Sequence, residues 1–506
     1  VMMHVSISSA AKMYTNRSSD SDRKDNRQNN LFRKDVSVMD QVNWKEQVEL
    51  RKKQLMEDTK GLLRIPSLLD EENVKEGAPF GPEIEKALSY MLDLGKESGM
   101  IVKNVDGYAG HIEIGNGEDI VGVLCHVDVV PPGDGWSVEP FGAEVKDGKI
   151  FARGAIDDKG PTMAAFYGMK IIQELKLPLS KKVRMIIGCD EESNWRCVRH
   201  YFTKEEMPAI GFAPDADFPI IFAEKGIFDV EFRLDNNQKE ETSDLHLLSF
   251  TSGQRLNMVP DYAEAKIQAS NLEEIQQSFE AFGEKSVIEY QAQIEGDALI
   301  LKVKGKSAHG STPDMGKNAG LMLGEFLNTL SFTGNAKSFL RLLDELTGEF
   351  TGNKLDIAAE DEASGNLTVN AGILSYDQVE GGKVGLNIRY PVTHDSKKIE
   401  NTLSTRAKTD DWSMRIIENN PPNYVEESHP LIQTLQKVYE DQTGKKGELM
   451  AIGGGTYARS LETGVAFGAL FPGREDVAHQ KDEHLFVEDL LLASAIYAQA
   501  IYELAK

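Results

Sequence analysis

The chain has 506 residues and carries 56 Lys and Arg against 81 Asp and Glu, a formal net charge of −25. That balance argues against nucleic acid and against an anionic membrane surface as partners. No apolar run approaches the ~20 residues that cross a bilayer, and Cys125, Cys189 and Cys197 make no disulfide framework, so the expectation is a soluble cytoplasmic protein of two or three domains with reduced, buried thiols.

Residues 1–38 differ from the rest. Ser8-Ser9, Ser18-Ser19-Asp20-Ser21-Asp22 and Gln28-Asn29-Asn30 offer little to bury, and the tract is expected to be a disordered extension. Asp20, Asp22, Asp25 and Asp35 count against a transit peptide, and Met39 is a candidate start. Helical spacing then runs from Trp44 to Arg64 and stops before Pro66. A second helix opens with Pro82 and reaches Gly99. Val102–Val105 and His111–Ile114 read as strands. Val121 to Val130 is a short apolar run closed by Pro131-Pro132, the pattern of a buried parallel strand. His126 and Asp128 stand two apart near its end, so on a strand they share a face, and Cys125 points away. Open α/β sheets place ligands at such strand ends. Taken alone, His126 reads as a hydrogen-bonded strand-end residue.

Asp157 and Asp158 come just ahead of a helix opened by Pro161, where carboxylates also serve as caps. Val183–Gly188 is another buried strand and runs into Asp190-Glu191-Glu192. Three adjacent acids raise one another's pKa unless a cation neutralises them; a solvated acidic turn is the alternative. Ala213-Pro214-Asp215 puts a further acid at a strand end. From about Ile221 the texture changes to long alternating strands and charged amphipathic helices. Residues 223–423 are expected to form an inserted α+β domain, with 39–222 and 424–506 forming the domain around it. The insert contains Asn257, His309 in a Gly/Ser-flanked loop, and Arg389, which shares a strand face with Asn387 and which pattern alone assigns to solvent. A helix from Pro430 to about Thr443 precedes Gly453-Gly454-Gly455, where backbone N–H groups can approach a ligand closely. No Gly-Lys-Ser/Thr follows, so this is not a P-loop. His479 and a last helix, Glu488 to Leu504, close the chain.

Two imidazoles and several carboxylates at strand ends, namely His126, Asp128, Asp157, Glu191, Glu192, Asp215 and His479, are what hard-to-borderline divalent metals want. Five of them suffice for two ions if one carboxylate bridges, leaving one acid as general base and one to orient a histidine.

The motifs that carry these residues resemble those of the M20 co-catalytic metallopeptidases. They are His126-Val127-Asp128, Arg153-Gly154 through Asp157-Asp158-Lys159-Gly160, Asp190-Glu191-Glu192-Ser193, Ala213-Pro214-Asp215, Gly305 to His309-Gly310, Gly453-Gly454-Gly455-Thr456-Tyr457 and the late His479. The resemblance covers nearly everything after residue 40 and is strongest to the peptidase V branch, the Xaa-His dipeptidase or carnosinase-like enzymes. It implies an α/β fold of the zinc-exopeptidase type, a mixed, mostly parallel sheet flanked by helices, with the insert as a lid. It implies that Asp157 bridges two divalent ions, zinc first with manganese or cobalt as alternatives. His126 and Asp215 would complete one site, and Glu192 and His479 the other. Asp128 would orient His126, and Glu191 would be the general base. His309 would stabilise the oxyanion, a role worth ~3 kcal/mol in the transition state. Asn257, Arg389 and the Gly453, Gly454 and Gly455 loop would hold the substrate carboxylate. The long lid supplies its histidine within one chain, which implies a monomer. The expected activity is hydrolysis of unblocked dipeptides, β-Ala-His among the family's substrates. The rival readings are an N-acyl amino acid deacylase or succinyl-diaminopimelate desuccinylase, and a non-catalytic binding protein on the same fold.

Overall fold

A computed structural model describes residues 42–235, 244–286 and 289–506. The expected extension, 1–38, lies outside the described residues. Among the described residues the chain builds two large sheets, each with its own apolar core, and three small ones of two or three strands.

The first sheet forms around the run that the sequence marks as buried on both faces. Ile120–His126 is buried at every position. It lies parallel to Lys182–Gly188 on one side and Ile210–Ala213 on the other. Gly464–Ala466 continues the parallel set beside Ile210–Ala213, and Leu449–Ile452 runs parallel to Ile220–Glu224. The remaining pairings are antiparallel: Ile101–Val105 and Ala109–Ile114 on one flank, Ile220–Glu224 and Asn423–Tyr424 on the other. The sheet is therefore mixed, with its parallel strands in the middle, where helices cover both faces. Lys159–Glu174 and Val487–Ala505 pack on each other beside Ile120–His126. They approach so closely at Gly168 that a Cβ there would lie 2.9 Å from the Ala498 nitrogen.

The single helix expected from Trp44 to Arg64 is two, Trp44–Glu49 and Lys52–Leu63. Trp44 and Val48 bury toward the C-terminal helix, the Trp44 ring 5.7 Å from that of Tyr502. Leu55, Leu62 and Leu63 bury as well, while Leu50 between the two sets is 72% exposed. The break lets two apolar stripes turn to their surfaces independently.

The second sheet has eight antiparallel strands. In spatial order they are Glu289–Glu295, Ala298–Lys304, Tyr262–Gln268, His246–Ser252, Thr368–Asp377, Gly381–Tyr390, Gly226–Asp235 and Ser413–Asn420. Helices Leu272–Ser286, Ala319–Leu327, Gly334–Leu346 and Ser396–Thr409 pack against it. Period-2 alternation decides which side chains meet the core: Leu386, Ile388 and Tyr390 are buried in it, and Asn387 and Arg389 point to the opposite face. The chain passes from the first sheet to the second at Lys225 and returns through Pro421-Pro422. On that basis we propose a division into an outer domain, 39–222 with 424–506, and an inserted lid, 223–423.

One buried group on the first sheet gives the fold an acid sensitivity of its own. His111 accepts or donates at 2.7 Å to the Tyr201 hydroxyl, beside the Arg184–Glu113 ion pair. Burial, and then the Arg184 charge, hold its imidazole down at about 4 against an ordinary 6.5. The unfolded chain thus takes up this proton first. The stability from a neutral His111 is complete above pH 6.5 and is lost as pH falls toward 4, by at most about 3 kcal/mol. His111→Gln is expected to flatten the stability profile between pH 6.5 and 4 relative to the parent, measured by urea unfolding at pH 4.5, 5.5 and 7.

Candidate metal centre

Three neighbouring parallel strands deliver acids at one edge. His126 ends its strand beside Gly188; Asp190, Glu191 and Glu192 follow Gly188, and Asp215 follows Ile210–Ala213. Asp157 comes from the loop before Lys159–Glu174, and its bond to Asp158 is cis. His479 arrives from the far end of the chain in left-handed backbone, φ 61°.

These side chains form two groups that share one carboxylate: His126, Asp157 and Asp215, and Asp157, Glu192 and His479. The Asp157 oxygens divide between them. Oδ1 lies 3.1 Å from His126 Nε2, and Oδ2 lies 2.9 Å from His479 Nε2. His126 Nε2 is 3.7 Å from Asp215 Oδ1, and His479 Nε2 is 3.0 Å from Glu192 Oε2. Two ligands of one tetrahedral zinc ion, each about 2.0–2.1 Å from it, stand about 3.3 Å apart, so these spacings suit donors converging on an ion.

Electrostatics point the same way. Burial pushes Asp215 up to about 6 and raises Glu192 as well. Partial burial opposes ionisation of Asp157 too, but its hydrogen bonds to His126 and His479 bring it below the usual carboxylate range. Hydrogen bonds to Asp157 and Glu192 raise His479 to about 10. Burial opposes a charge on His126, yet Asp215, Asp128 and Asp157 together raise it. The acids thus draw a positive charge onto each imidazole. A divalent cation satisfies the same demand and displaces those protons. Each group also offers one nitrogen and two carboxylate donors, and so the residues fit a pair of divalent ions.

Glu191 belongs to neither group. It lies next to Glu192, and burial raises its carboxyl well above the ordinary value. Asp128 differs in detail from its expected place. The strand ends at His126, so strand alternation does not set the Asp128 side chain. Its Oδ1 is 3.6 Å from His126 Nδ1, whereas the backbone oxygen of Asp128 meets that nitrogen at 3.0 Å. The carboxylate, while within reach of His126, also accepts the backbone N–H groups of Glu191 and Glu192 at 3.1 and 3.0 Å, fastening the acid-bearing turn. Asp158 makes no capping bond to its helix. It accepts from the His126 N–H at 3.2 Å and the Thr162 hydroxyl at 3.0 Å. Asp190, the third acid of the run, is buried in an ion pair with Arg196.

The lid residues gather separately. Arg389, which pattern alone assigned to solvent, is only 4% exposed. Its sheet face is covered by the glycine loop, and Nη1 donates to the Gly453 carbonyl at 2.9 Å while Nε donates to Asn387 Oδ1 at 2.8 Å. The Asn257 carbonyl accepts the Gly310 N–H at 2.7 Å, which sets the Asn257 and His309 loops side by side. The Ser311 N–H donates to His309 Nδ1 at 3.3 Å. A Cβ on Gly453 would lie 2.6 Å from that of Ser311, so the glycine permits this approach. Gly454 and Gly455 continue toward Tyr457, whose ring meets His126 edge-on at 6.0 Å. The loop therefore runs from the lid cluster to the acid cluster.

Two acids that sequence reasoning passed over hold this arrangement. Glu224, fully buried, accepts the Thr456 N–H at 3.0 Å, the Thr456 hydroxyl at 2.5 Å and Arg459 Nε at 3.1 Å, anchoring the glycine loop. Glu483, also fully buried, pairs with Arg153. Its position four residues after His479 is a signal of sorts, but its partners lie over 320 residues away.

The profile of Peptidase family M20/M25/M40 matches residues 122–503. The chain is 53% identical over 466 residues to a Bacillus subtilis (strain 168) protein named "Putative dipeptidase YtjP", covering 92% of this chain and all of that one. It is 44% identical over 468 residues to a "Putative dipeptidase" of Staphylococcus epidermidis (strain ATCC 12228 / FDA PCI 1200), covering 91% of this chain and 99% of the relative. In fold it is similar to the aminoacylhistidine dipeptidase of Vibrio alginolyticus, with a TM-score of 0.57 at 13% identity, covering 89% of this chain and 96% of that one.

The sharing of Asp157 sets an expectation for metal content. With Zn²⁺ as the probe, the parent chain retains two ions after desalting, Asp215→Ala retains one, and Asp157→Ala retains neither, as read by elemental analysis.

Proposed function

This chain belongs to Peptidase family M20/M25/M40, and from that premise we propose that it is a metal-dependent dipeptidase acting on unblocked dipeptides. The observation that carries the proposal is the pair of three-residue groups joined through Asp157. The two groups would be held as His126, Asp157 and Asp215 around one ion, and Asp157, Glu192 and His479 around the other. Nitrogen and carboxylate donors suit zinc first, with manganese or cobalt also accommodated. A pair of ions held by these residues would supply the acidity of a bound water and the polarisation of the scissile carbonyl.

The chain's own groups do the rest. Glu191 is the general base: its carboxylate takes a proton from the attacking water and returns it to the departing amine. Its raised pKa suits it to both transfers. Asp128 holds the turn that presents Glu191 and Glu192. His309 acts as a neutral donor. Partial desolvation by the surrounding loops, and then the Arg389 charge, lower its pKa. Nδ1 lies 2.7 Å from the Ser311 hydroxyl and 3.3 Å from the Ser311 N–H, and with both donating to it the ring proton is on Nε2, where it can stabilise the carbonyl oxygen as negative charge develops. Arg389 spends Nε and one Nη1 hydrogen on Asn387 and Gly453, leaving Nη2 for the substrate carboxylate, with Asn257 and the Gly453, Gly454 and Gly455 backbone beside it. A carboxylate held at a fixed distance from the hydrolytic centre measures length, so longer peptides are rejected. A lid histidine supplied within the chain supports a monomer, and three free, buried cysteines support a reducing, cytoplasmic setting. Among the described residues no helix is long and apolar enough to cross a membrane.

A panel tests this reading. Free dipeptides, β-Ala-His included, are expected to be hydrolysed by the metal-loaded chain, while a tripeptide and N-acetyl and N-succinyl amino acids are not, and a chelator abolishes turnover. Preference for the acylated amino acids would overturn the substrate assignment. Glu191→Gln is expected to lower kcat by about 10²–10⁴-fold with little change in KM. In the parent, kcat climbs with pH as Glu191 loses its proton, and in Glu191→Gln that limb is absent.

A further inference from the structure

Three segments of the candidate centre meet at one buried ion pair that none of the assigned roles uses. Arg153 is 1% exposed and Glu483 is fully buried, and Arg153 Nη1 donates to Glu483 Oε2. Glu483 Oε1 accepts the backbone N–H of Ile156 at 3.0 Å and of Asp157 at 3.3 Å. The Glu483 carbonyl accepts the Ala152 N–H at 3.0 Å. Arg153 Nη2 reaches the carbonyls of Pro131 and Pro132 at 3.4 and 3.2 Å, just beyond His126 and Asp128. The Trp136 ring covers its guanidinium at 5.4 Å, and Trp136 Nε1 donates to the Pro132 carbonyl at 2.8 Å. The adjacent Asp482 accepts from the Ser137 N–H at 2.7 Å and its hydroxyl at 3.1 Å. His484–Phe486 then pairs with Lys149–Phe151. The exit from the His126 strand, the Asp157 loop and the His479 segment are thus tied to one carboxylate.

We infer that Glu483 is a positioning residue for the metal centre, fixing the backbone of Asp157 against the segment that carries His479. It is not itself a ligand, because both oxygens are occupied by Arg153 and by backbone N–H groups. Its charge serves that purpose. A carboxylate binds a buried guanidinium and two N–H donors at once, and an amide of the same shape presents an N–H to one of these donors. Asp157 must point one oxygen at each histidine, so a small rotation of its backbone misplaces both groups together. Partners that orient metal ligands in this way are typically worth 10–100-fold in metal affinity.

The test uses the full chain, with Zn²⁺ titrated against a competing chelator as the probe, and rests on the metal-centre reading rather than on the substrate. Glu483→Gln is expected to weaken Zn²⁺ binding about 10–100-fold, with far-ultraviolet dichroism unchanged. Cobalt substitution gives a second readout, in which a changed visible spectrum reports altered ligand geometry. The control is Glu113→Gln, which breaks the buried Arg184–Glu113 pair on the same domain. It is expected to lower Tm while leaving Zn²⁺ affinity and the cobalt spectrum as in the parent. If Glu483→Gln does not fold, Arg153→Lys, which keeps the charge but loses the fork, carries the same expectation. Parent-like affinity and spectrum in the variant, or an equal loss in Glu113→Gln, would overturn the inference. Failure of the parent to cleave dipeptides while still binding two ions would remove the substrate assignment and leave this one standing.

Discussion

Everything at the sheet edge answers to one electrostatic constraint. Asp157, Asp158, Asp190, Glu191, Glu192 and Asp215 stand together, mostly withdrawn from water, where ionised carboxylates cannot coexist without positive charge. The chain meets this demand locally where it can. Arg196 neutralises Asp190, and backbone and hydroxyl donors take up part of Asp158. What remains is concentrated on Asp157, Glu192 and Asp215, facing two imidazoles. A fold that keeps acids in this position has a structural reason to hold cations, and the family to which the chain belongs is consistent with that reason.

The supporting acids are held by the opposite logic. Asp128, Glu224 and Glu483 each accept backbone N–H groups from a functional loop: the Glu191-Glu192 turn, the glycine loop and the Asp157 loop in turn. Loops lack the ladder bonds that fix strands, so a buried carboxylate that collects their donors does the work of a missing strand. Accuracy at the centre therefore derives from charges that never touch a substrate.

The lid and the sheet edge are joined by contact as well as by chain. Arg389 reaches across to the Gly453 carbonyl, and the glycine loop continues to Tyr457 under His126. In the proposed reading, Arg389 would hold one end of a small substrate, and this contact would keep it in register with the chemistry at the other end. That register is what separates a length-measuring hydrolase from an endopeptidase of the same chemistry.

The sequence by itself determined the parallel run at Val121 to Cys125, the change of texture near Ile221, and the acids that follow the strands. These are local signals: β-branched runs, period-2 alternation and turn residues act over a few positions. It also marked His126, Asp128, Asp157, Glu191, Glu192, Asp215 and His479 as candidates by residue type, and the family resemblance separated the five expected ligands from the other two. Only the tertiary structure decided the rest. It placed His479 against Glu192 across 287 positions and buried Arg389, which alternation alone had turned to solvent. It moved Asp128 from a strand face to the foot of the acid turn, and it gave Glu483 its partners. In each case the deciding partner or covering segment lies far away in the chain, and for Arg389 and Glu483 the deciding energy is desolvation, which depends on what covers a side chain.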